Sequence, residues 1–481
     1  MIRLDGVSYR YAFHETFAID NLSLSVDPEE IVLVTGASGC GKSTLIRLIN
    51  GLCPHFFKGT LTGEVRVNGK NTAESSIQQL ARDVGTVFQD PELQFFALQV
   101  DDELAFAHEW RGESREEIAE IVKRSASAMG ISEFLDSSIH DLSEGQKQKL
   151  AIASALSLNP GVLIFDEPTA NLDPESTLEL AQQLAELQRQ GMAILVVDHR
   201  LYWLEGIATK VVVMEAGKIV KEGEFSILRD GEFCRRYGLR KSKVEDCRTQ
   251  LAPPPEDGEL VVRDLFFSYK KSMWRSSSVK KEVFSGVSCS FGFGITAIVG
   301  DNGQGKTTLA RLLTGLLKME SGRMELFGQR VEAKDTLKLS SIVLQNTDHQ
   351  LHMSTVAKEL EMAAGGGKAG TKSQGELKEL LAEINLEHLA DRHPQSLSGG
   401  EKQRLVIACG LAKKPKILIL DEPTSGLDGG NMQRIVAIIE RAAEQGCIIL
   451  LITHDLELLE LVAERALHLP MSNSGREIHD K

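Results

Sequence analysis

Long apolar runs are absent from this chain: no stretch approaches the ~18–20 residues that a helix needs to cross a bilayer. The opening Met1-Ile2-Arg3-Leu4-Asp5 has neither a basic n-region nor an apolar h-region, so no signal peptide is expected. The 7 cysteines contain no C-x-x-C pair. They read as free thiols in a reducing cytosol rather than as a zinc module or a disulfide framework. Sustained heptads are missing, which excludes long coiled-coil arms. Positive charge is in deficit, and a net charge of −14 argues against a general nucleic-acid binder, whose affinity comes from neutralising phosphates. What remains, 42% hydrophobic and 25% charged over 481 residues, is the composition of a soluble α/β protein. Single cores stop growing at roughly 250–300 residues, so two domains are expected.

Against these absences stands one set of phosphate-handling motifs, present twice. Gly36-Ala37-Ser38-Gly39-Cys40-Gly41-Lys42-Ser43-Thr44 and Gly300-Asp301-Asn302-Gly303-Gln304-Gly305-Lys306-Thr307-Thr308 both contain G-x-x-x-x-G-K-S/T. Each follows an apolar run of strand type and opens a helical pattern, the context in which such a loop cradles phosphate. Backbone N–H groups at the helix N-terminus face the phosphates, and the dipole favours their charge. Lys42 and Lys306 would reach the β- and γ-phosphates, with Ser43 and Thr307 on Mg²⁺.

Matched spacings extend the repeat. Asp166-Glu167 and Asp421-Glu422 each end an apolar run, and Ser143 to Glu167 and Ser398 to Glu422 are both 24 positions. Glu167 to His199 and Glu422 to His454 are both 32, and each histidine follows a further buried-strand pattern. The copies differ earlier, with Lys42 to Gln89 at 47 positions and Lys306 to Gln345 at 39. Alternation of strands and helices predicts a largely parallel sheet in each half. The expected domains are 1–235 and 259–470, joined by a spacer over 236–258 that includes Pro253-Pro254-Pro255, with a frayed tail over 471–481. Lys270 to Lys281, basic and serine-rich, and Ala363 to Gly370, glycine-rich, read as loops.

The ordered set of P-loop, glutamine, signature, Asp-Glu and histidine resembles the ATP-binding-cassette (ABC) ATPases over nearly the whole chain. The signatures are Leu142-Ser143-Glu144-Gly145-Gln146 and Leu397-Ser398-Gly399-Gly400-Glu401, each followed by Lys-Gln-Lys/Arg. The resemblance implies an α/β fold of two tandem P-loop domains, each with a mainly parallel core sheet, an antiparallel β subdomain and a helical subdomain. It implies an intramolecular head-to-tail cassette pair with two composite ATP and Mg²⁺ sites. The first would combine Tyr11, the loop Gly36 to Thr44, Gln89, Asp166, Glu167 and His199 with Ser398 and Gly400. The second would combine Tyr269, the loop Gly300 to Thr308, Gln345, Asp421, Glu422 and His454 with Ser143 and Gly145. In these sites Asp166 and Asp421 hold the metal shell, with Gln89 and Gln345 sensing metal and water. Glu167 and Glu422 orient and deprotonate water, and the histidines donate to the γ-phosphate. Tyr11 and Tyr269 match the aromatic that stacks on adenine, and Asp173 and Asp428 the loop that crosses the cassette seam. Two features depart from this pattern. Cys40 lies in a P-loop, where alkylation is expected to block the first site by bulk. Glu144 stands where glycine is usual, and its charge is expected to slow the second site.

The stretch after each glutamine resembles the energy-coupling-factor importers. Gln89-Asp90-Pro91-Glu92-Leu93-Gln94 runs on to Glu103, and Gln345-Asn346-Thr347-Asp348-His349-Gln350 to Glu359, 14 positions from glutamine to glutamate in both. That resemblance implies a transmembrane scaffold subunit, a separate membrane subunit that captures a vitamin, vitamin precursor or metal ion, and a peripheral position on the cytoplasmic face of the membrane. Leu93, Phe95, Phe96 and Leu98 are either core packing or an exposed docking patch, with Phe95 the expected anchor. A tandem-cassette translation factor acting on ribosomes is the alternative, set against the short spacer and acidic charge.

Overall fold

Unbroken apolar strands and alternating ones divide each half of this chain between two kinds of sheet. The structure, a computed structural model, describes residues 1–271, 279–365 and 374–471. It comprises two compact units, Met1–Val244 with Gly426–Gly430, and Glu245–Ser425 with Asn431–Lys481.

The first unit opens with β1 (Ile2–Tyr11) and β2 (Ile19–Val26), then enters the core with β3 (Ile31–Gly36). It continues through β4 (Gly59–Val67), β5 (Lys70–Asn71), β6 (Val84–Val87), β7 (Val162–Asp166), β8 (Ala193–Val197), β9 (Lys210–Glu215) and β10 (Lys218–Gly223). One sheet runs β2-β1-β4-β5 and is antiparallel. The other runs β10-β9-β3-β8-β7-β6 and is parallel except where β10 meets β9. Every residue of β3 is buried, as a strand covered on both faces requires. Its side chains alternate between two cores. Ile31 and Leu33 join Leu163, Phe165, Ile194 and Val196 on one face. Val32 and Val34 join Val162, Ile164, the P-loop helix and the antiparallel sheet on the other. A helical layer, Val100–Arg111, Arg115–Ala128 and Glu144–Ser157, packs into the first of these cores.

The second unit repeats this plan with β11 (Leu260–Lys271), β12 (Val279–Phe291), β13 (Gly294–Val299), β14 (Ser321–Leu326) and β15 (Gln329–Val331). It ends with β16 (Ser340–Val343), β17 (Ile417–Asp421), β18 (Ile448–Ile452) and β19 (Arg465–His468). The antiparallel sheet is β12-β11-β14-β15 and the parallel one β16-β17-β18-β13-β19. The counterparts of that helical layer are Val356–Ala363, Gln374–Glu383 and Gly399–Ala412.

Three sequence expectations shift. Lys270 to Lys281 is not all loop, because β11 pairs with β12 as far as Lys271 opposite Val279; residues 272–278 lie outside the described residues. Ala363 closes a helix instead of opening a loop, and 366–370 and the tail beyond Met471 lie outside the described residues. The stretch read as a spacer is packed at both ends. Ser242 Oγ donates to the Leu228 carbonyl at 2.7 Å, and Ala252 bridges Arg465 of β19.

Candidate functional site

Each P-loop is a strand that turns sharply into a helix. Gly41 precedes the helix Lys42–Ile49 with φ 111°, and Gly305 precedes Lys306–Leu313 with φ 94°. A side chain would be strained at that backbone, and a Cβ on Gly41 would stand 2.6 Å from the Ala18 carbonyl. Neither helix has a side-chain cap, so its first N–H groups stay open to an anionic ligand. Both lysines bend back over their loops. Lys42 Nζ donates to the carbonyls of Gly36 (2.8 Å) and Ala37 (3.1 Å), and Lys306 Nζ to those of Gly300 (2.7 Å) and Asp301 (2.9 Å). The second loop is also braced by Gln304, whose Oε1 accepts from the Asp301 N–H at 2.8 Å. Its counterpart Cys40 turns inward and is 4% exposed, with burial raising its thiol pKa above the ordinary value. Ready alkylation of Cys40 is therefore not expected: the thiol belongs to the core rather than to the phosphate cradle.

In each unit the acidic pair arrives at the C-terminal end of a parallel core strand. Asp166 ends β7 and Asp421 ends β17. The next residue, Glu167 or Glu422, adopts the left-handed conformation (φ 48° and 50°), a costly state for glutamate that clusters at functional turns. Its N–H still reaches across the sheet, Glu167 to the Val197 carbonyl at 2.7 Å and Glu422 to that of Ile452 at 2.8 Å. Burial, and secondarily the charge of Glu167, raises Asp166 to about 6. Asp421 is also raised by burial, opposed by Thr307 and Lys306. Thr307 Oγ1 donates to Asp421 Oδ2 at 3.0 Å. A hydroxyl beside a carboxylate is a hard oxygen pair that fits Mg²⁺ sharing phosphate and water ligands. Among the described residues no group of three or more His, Cys, Asp or Glu side chains could hold a metal without such help.

The histidine ends differ between copies. His199 Nε2 lies 3.4 Å from Glu167 Oε1. In copy two, Glu422 accepts from the His454 N–H (2.8 Å) and the Thr453 hydroxyl (2.9 Å), and His454 Nε2 lies 3.0 Å from Asn302 Oδ1. The threonine of Asp-Glu-Pro-Thr bonds a buried aspartate in both, but from opposite sides of the histidine. Thr169 meets Asp198 at 2.8 Å, one residue before His199, whereas Thr424 meets Asp455 at 2.6 Å, one residue after His454. In copy two this leaves the position before the histidine to Thr453, which donates to Glu422; the matching Asp198 has no such proton when ionised.

Both signatures are helix N-caps. Ser143 Oγ accepts from the Gln146 N–H while Gln146 Oε1 accepts from the Ser143 N–H; Ser398 and Glu401 do the same. Glutamine and glutamate serve this capping box equally, which explains why Glu401 is tolerated. A Cβ on Gly145 or Gly400 would meet Ser176 Oγ or Asn431 Nδ2 at 2.8 Å, so neighbouring side chains press on these glycines. Glu144 is not a bare charge, since its Oε1 is 2.9 Å from Lys147 Nζ. Tyr11 and Tyr269 place their hydroxyls 3.0 and 3.3 Å from Thr44 and Thr308 on the P-loop helices. Asp173 caps the helix Pro174–Arg189, and within the first unit Asp428 Oδ2 accepts from the Ser38 N–H at 2.6 Å. Gln89 and Gln345 are exposed just past β6 and β16.

Sequence reasoning saw the spacing to Glu103 and Glu359 but not its purpose. Glu103 is buried and accepts the N–H groups of Phe96 (2.8 Å) and Ala97 (2.9 Å); Glu359 takes those of His352 and Met353. Each glutamate thus pins the loop that follows the glutamine. In copy one that loop presents Leu93, Phe96 and Leu98 at 82%, 75% and 70% exposure. Phe95 is the half-buried member, packed on the core, so the anchor expected from sequence is the wrong phenylalanine. Phe96 stacks on Phe106 (centroids 4.9 Å apart, 8° between planes) beside exposed Trp110, at a groove of about 360 Å³.

In the folded chain iodoacetamide should label Cys40 only on unfolding; mass spectrometry showing rapid native labelling would contradict its burial. For Asp166, the raised folded pKa means that the folded chain keeps this proton longer than the unfolded one. Its contribution to stability therefore falls as pH rises through the window from its ordinary value to about 6. Asp166→Asn should stabilise the ligand-free protein by up to about 3 kcal/mol at pH 7.5. The gain should be nearly gone at pH 3, below both pKa values, as followed by thermal unfolding at both pH values.

Comparison with known proteins agrees with this geometry. Residues 19–170 and 287–425 match the family described as ABC transporter. A protein of Treponema denticola provisionally named ABC transporter ATP-binding protein is 37% identical over 98% of this chain and 95% of its own. A Bacillus subtilis protein provisionally named HMP/thiamine import ATP-binding protein YkoD is 32% identical over 98% of this chain and 90% of its own. Among solved structures, a chain from ribosome-bound archaeal Pelota and ABCE1 superposes with TM-score 0.65 over 96% of this chain and 76% of that one. At 21% identity it speaks to the fold alone. With two P-loops, two acidic strand ends and matches of this extent, the chain belongs to the ATP-binding proteins of the ABC transporter family and is an ATPase.

Proposed function

We propose that this chain is the ATP-hydrolysing subunit of an energy-coupling-factor-type importer, working with a transmembrane scaffold subunit and a membrane subunit that captures a vitamin, vitamin precursor or metal ion. The observation that carries this reading is the aromatic groove of Phe96, Phe106 and Trp110, whose Phe96 backbone is pinned by the buried carboxylate of Glu103. An apolar patch of that kind on a charged surface suits a helix presented by a membrane partner. The import function in the name of the Bacillus relative supports the direction. None of the helices described here is long and apolar enough to cross a membrane, so the transmembrane path would come from other chains. The place of work would be the cytoplasmic face of the membrane.

In this reading the cassettes, 1–235 and 259–470, pair head to tail, and each P-loop shares its ATP with the opposing signature. Lys42 and Lys306 neutralise phosphate charge, and the open helix N-termini supply N–H donors. Ser43 and Asp166, or Thr307 and Asp421, would hold a Mg²⁺ sensed by Gln89 or Gln345, and the ion would supply charge neutralisation across the phosphates. Glu167 and Glu422 take the proton of the attacking water, an effect of about 10²–10⁴-fold. His199 and His454 position the γ-phosphate. Loss of the γ-phosphate removes the ligand held from both sides and lets the cassettes part. The cargo need not touch this chain.

Phe96→Glu should leave ATP hydrolysis by the isolated chain within about twofold, because no P-loop residue lines the groove, and abolish co-purification of integral membrane proteins. Undiminished co-purification would remove the groove from the proposal. The two sites should also be unequal, because Glu422 is bonded to Thr453 and His454 whereas the Glu167 carboxylate meets His199 Nε2 at 3.4 Å. Glu167→Gln should cost more steady-state turnover than Glu422→Gln; an equal or larger loss from Glu422→Gln would speak against the inequality.

A further inference from the structure

Copy one is longer than copy two in a place that touches the base side of its P-loop. Lys42 to Gly63 spans 21 positions, whereas Lys306 to Gly322 spans 16. The extra length falls between the P-loop helix and β4, in Cys53-Pro54-His55-Phe56-Phe57-Lys58. This stretch is not a loose excursion. The Phe57 carbonyl accepts the hydroxyl of fully buried Tyr9 at 2.6 Å. The Phe57 ring stands at 90° to that of Tyr11, with centroids 6.3 Å apart.

Arg47 locks the two rings together. It lies one turn beyond Thr44 on the P-loop helix and covers one face of Phe57, its guanidinium carbon 4.3 Å from the ring centroid. The same guanidinium donates to the Tyr11 hydroxyl at 3.0 Å, and that hydroxyl lies 3.0 Å from Thr44 Oγ1. A nucleoside leaving the phosphate cradle past Thr44 therefore meets a corner: Tyr11 as one surface and Phe57 as a second at right angles. Both rings are fixed before the ligand arrives, so little side-chain freedom is lost on binding. In copy two, Tyr269 has Phe267 behind it (5.0 Å, 88°), matching Tyr9 behind Tyr11 (5.1 Å, 86°). Among the described residues no further ring is recorded against Tyr269.

We propose that Phe57, braced by Arg47, is a second wall of the base pocket at the first nucleotide site, and that this site grips the adenine ring in a way the second does not. The inference rests on the nucleotide sites assigned above and is independent of transport. Aromatic contacts of this edge-to-face kind change affinity by about 2- to 12-fold.

The test uses the full-length chain with Lys306→Ala, which leaves the first P-loop intact, and calorimetric titration with ATP and with inorganic tripolyphosphate, which has no base. Phe57→Leu keeps apolar bulk but removes the ring; it should weaken ATP binding by about fivefold while tripolyphosphate binding stays unchanged. Phe57→Tyr should restore ATP binding. With Lys42→Ala instead, Phe57→Leu should leave ATP binding at the second site as it was. Unchanged ATP affinity in the Lys306→Ala chain, or an equal loss for tripolyphosphate, would overturn the proposal, since the latter marks a merely structural effect. Failure of the Lys306→Ala chain with Phe57 intact to bind either ligand would overturn the first P-loop assignment itself, and the proposal with it.

Discussion

The amides of Glu167 and Glu422 hold each candidate site together, through bonds of 2.7 and 2.8 Å to the carbonyls of Val197 and Ile452. Each bond is the last rung of the ladder between neighbouring parallel strands, made by a residue that has already turned into the left-handed region. The rung keeps the glutamate backbone in the sheet while the turn releases its carboxylate from the strand direction. The histidine that follows the neighbouring strand is then delivered to the same edge. Parallel strands all end on one side, so the P-loop, the acidic pair and the histidine converge without any long-range coordination of loops.

Around that shared frame the copies have diverged in ways that preserve some bonds and free others. The buried aspartate that holds the Asp-Glu-Pro-Thr threonine stands before the histidine in copy one and after it in copy two. The position vacated in copy two is taken by Thr453, which then holds Glu422. A structural bond common to both copies thus sits two residues further along in copy two, and the surroundings of Glu422 differ from those of Glu167 as a consequence. The signatures show the opposite case. Gln146 and Glu401 differ in charge but make the same capping box, because the box uses only one side-chain oxygen.

Much of this was legible in the chain. Continuous apolar runs marked the buried parallel strands, and the motif spacings placed Lys42 at a helix start and Asp166, Glu167 and His199 at or just past strand ends, with their counterparts likewise. Burial of single side chains was not legible. Cys40 lies in a loop of small residues, and only the packed cluster around β3 shows that its thiol faces inward. Phe95 and Phe96 are neighbours of identical composition, and the turn pinned by Glu103 decides which one faces solvent. Glu144 read as an exposed repulsive charge until the fold placed Lys147 one helical turn away and within 2.9 Å.

The amino-acid sequence by itself determined the family, the duplication, the two α/β units and the residue types at each phosphate loop and acidic strand end. Those features depend on local backbone preference and on periodic burial, both of which are written along the chain. The tertiary structure alone decided which side chains meet across distant segments: Phe57 against Tyr11, and Thr453 against Glu422. These contacts join residues that pattern and spacing leave unrelated, because a hydrogen bond or a ring contact is set by angstrom-scale packing rather than by position along the chain.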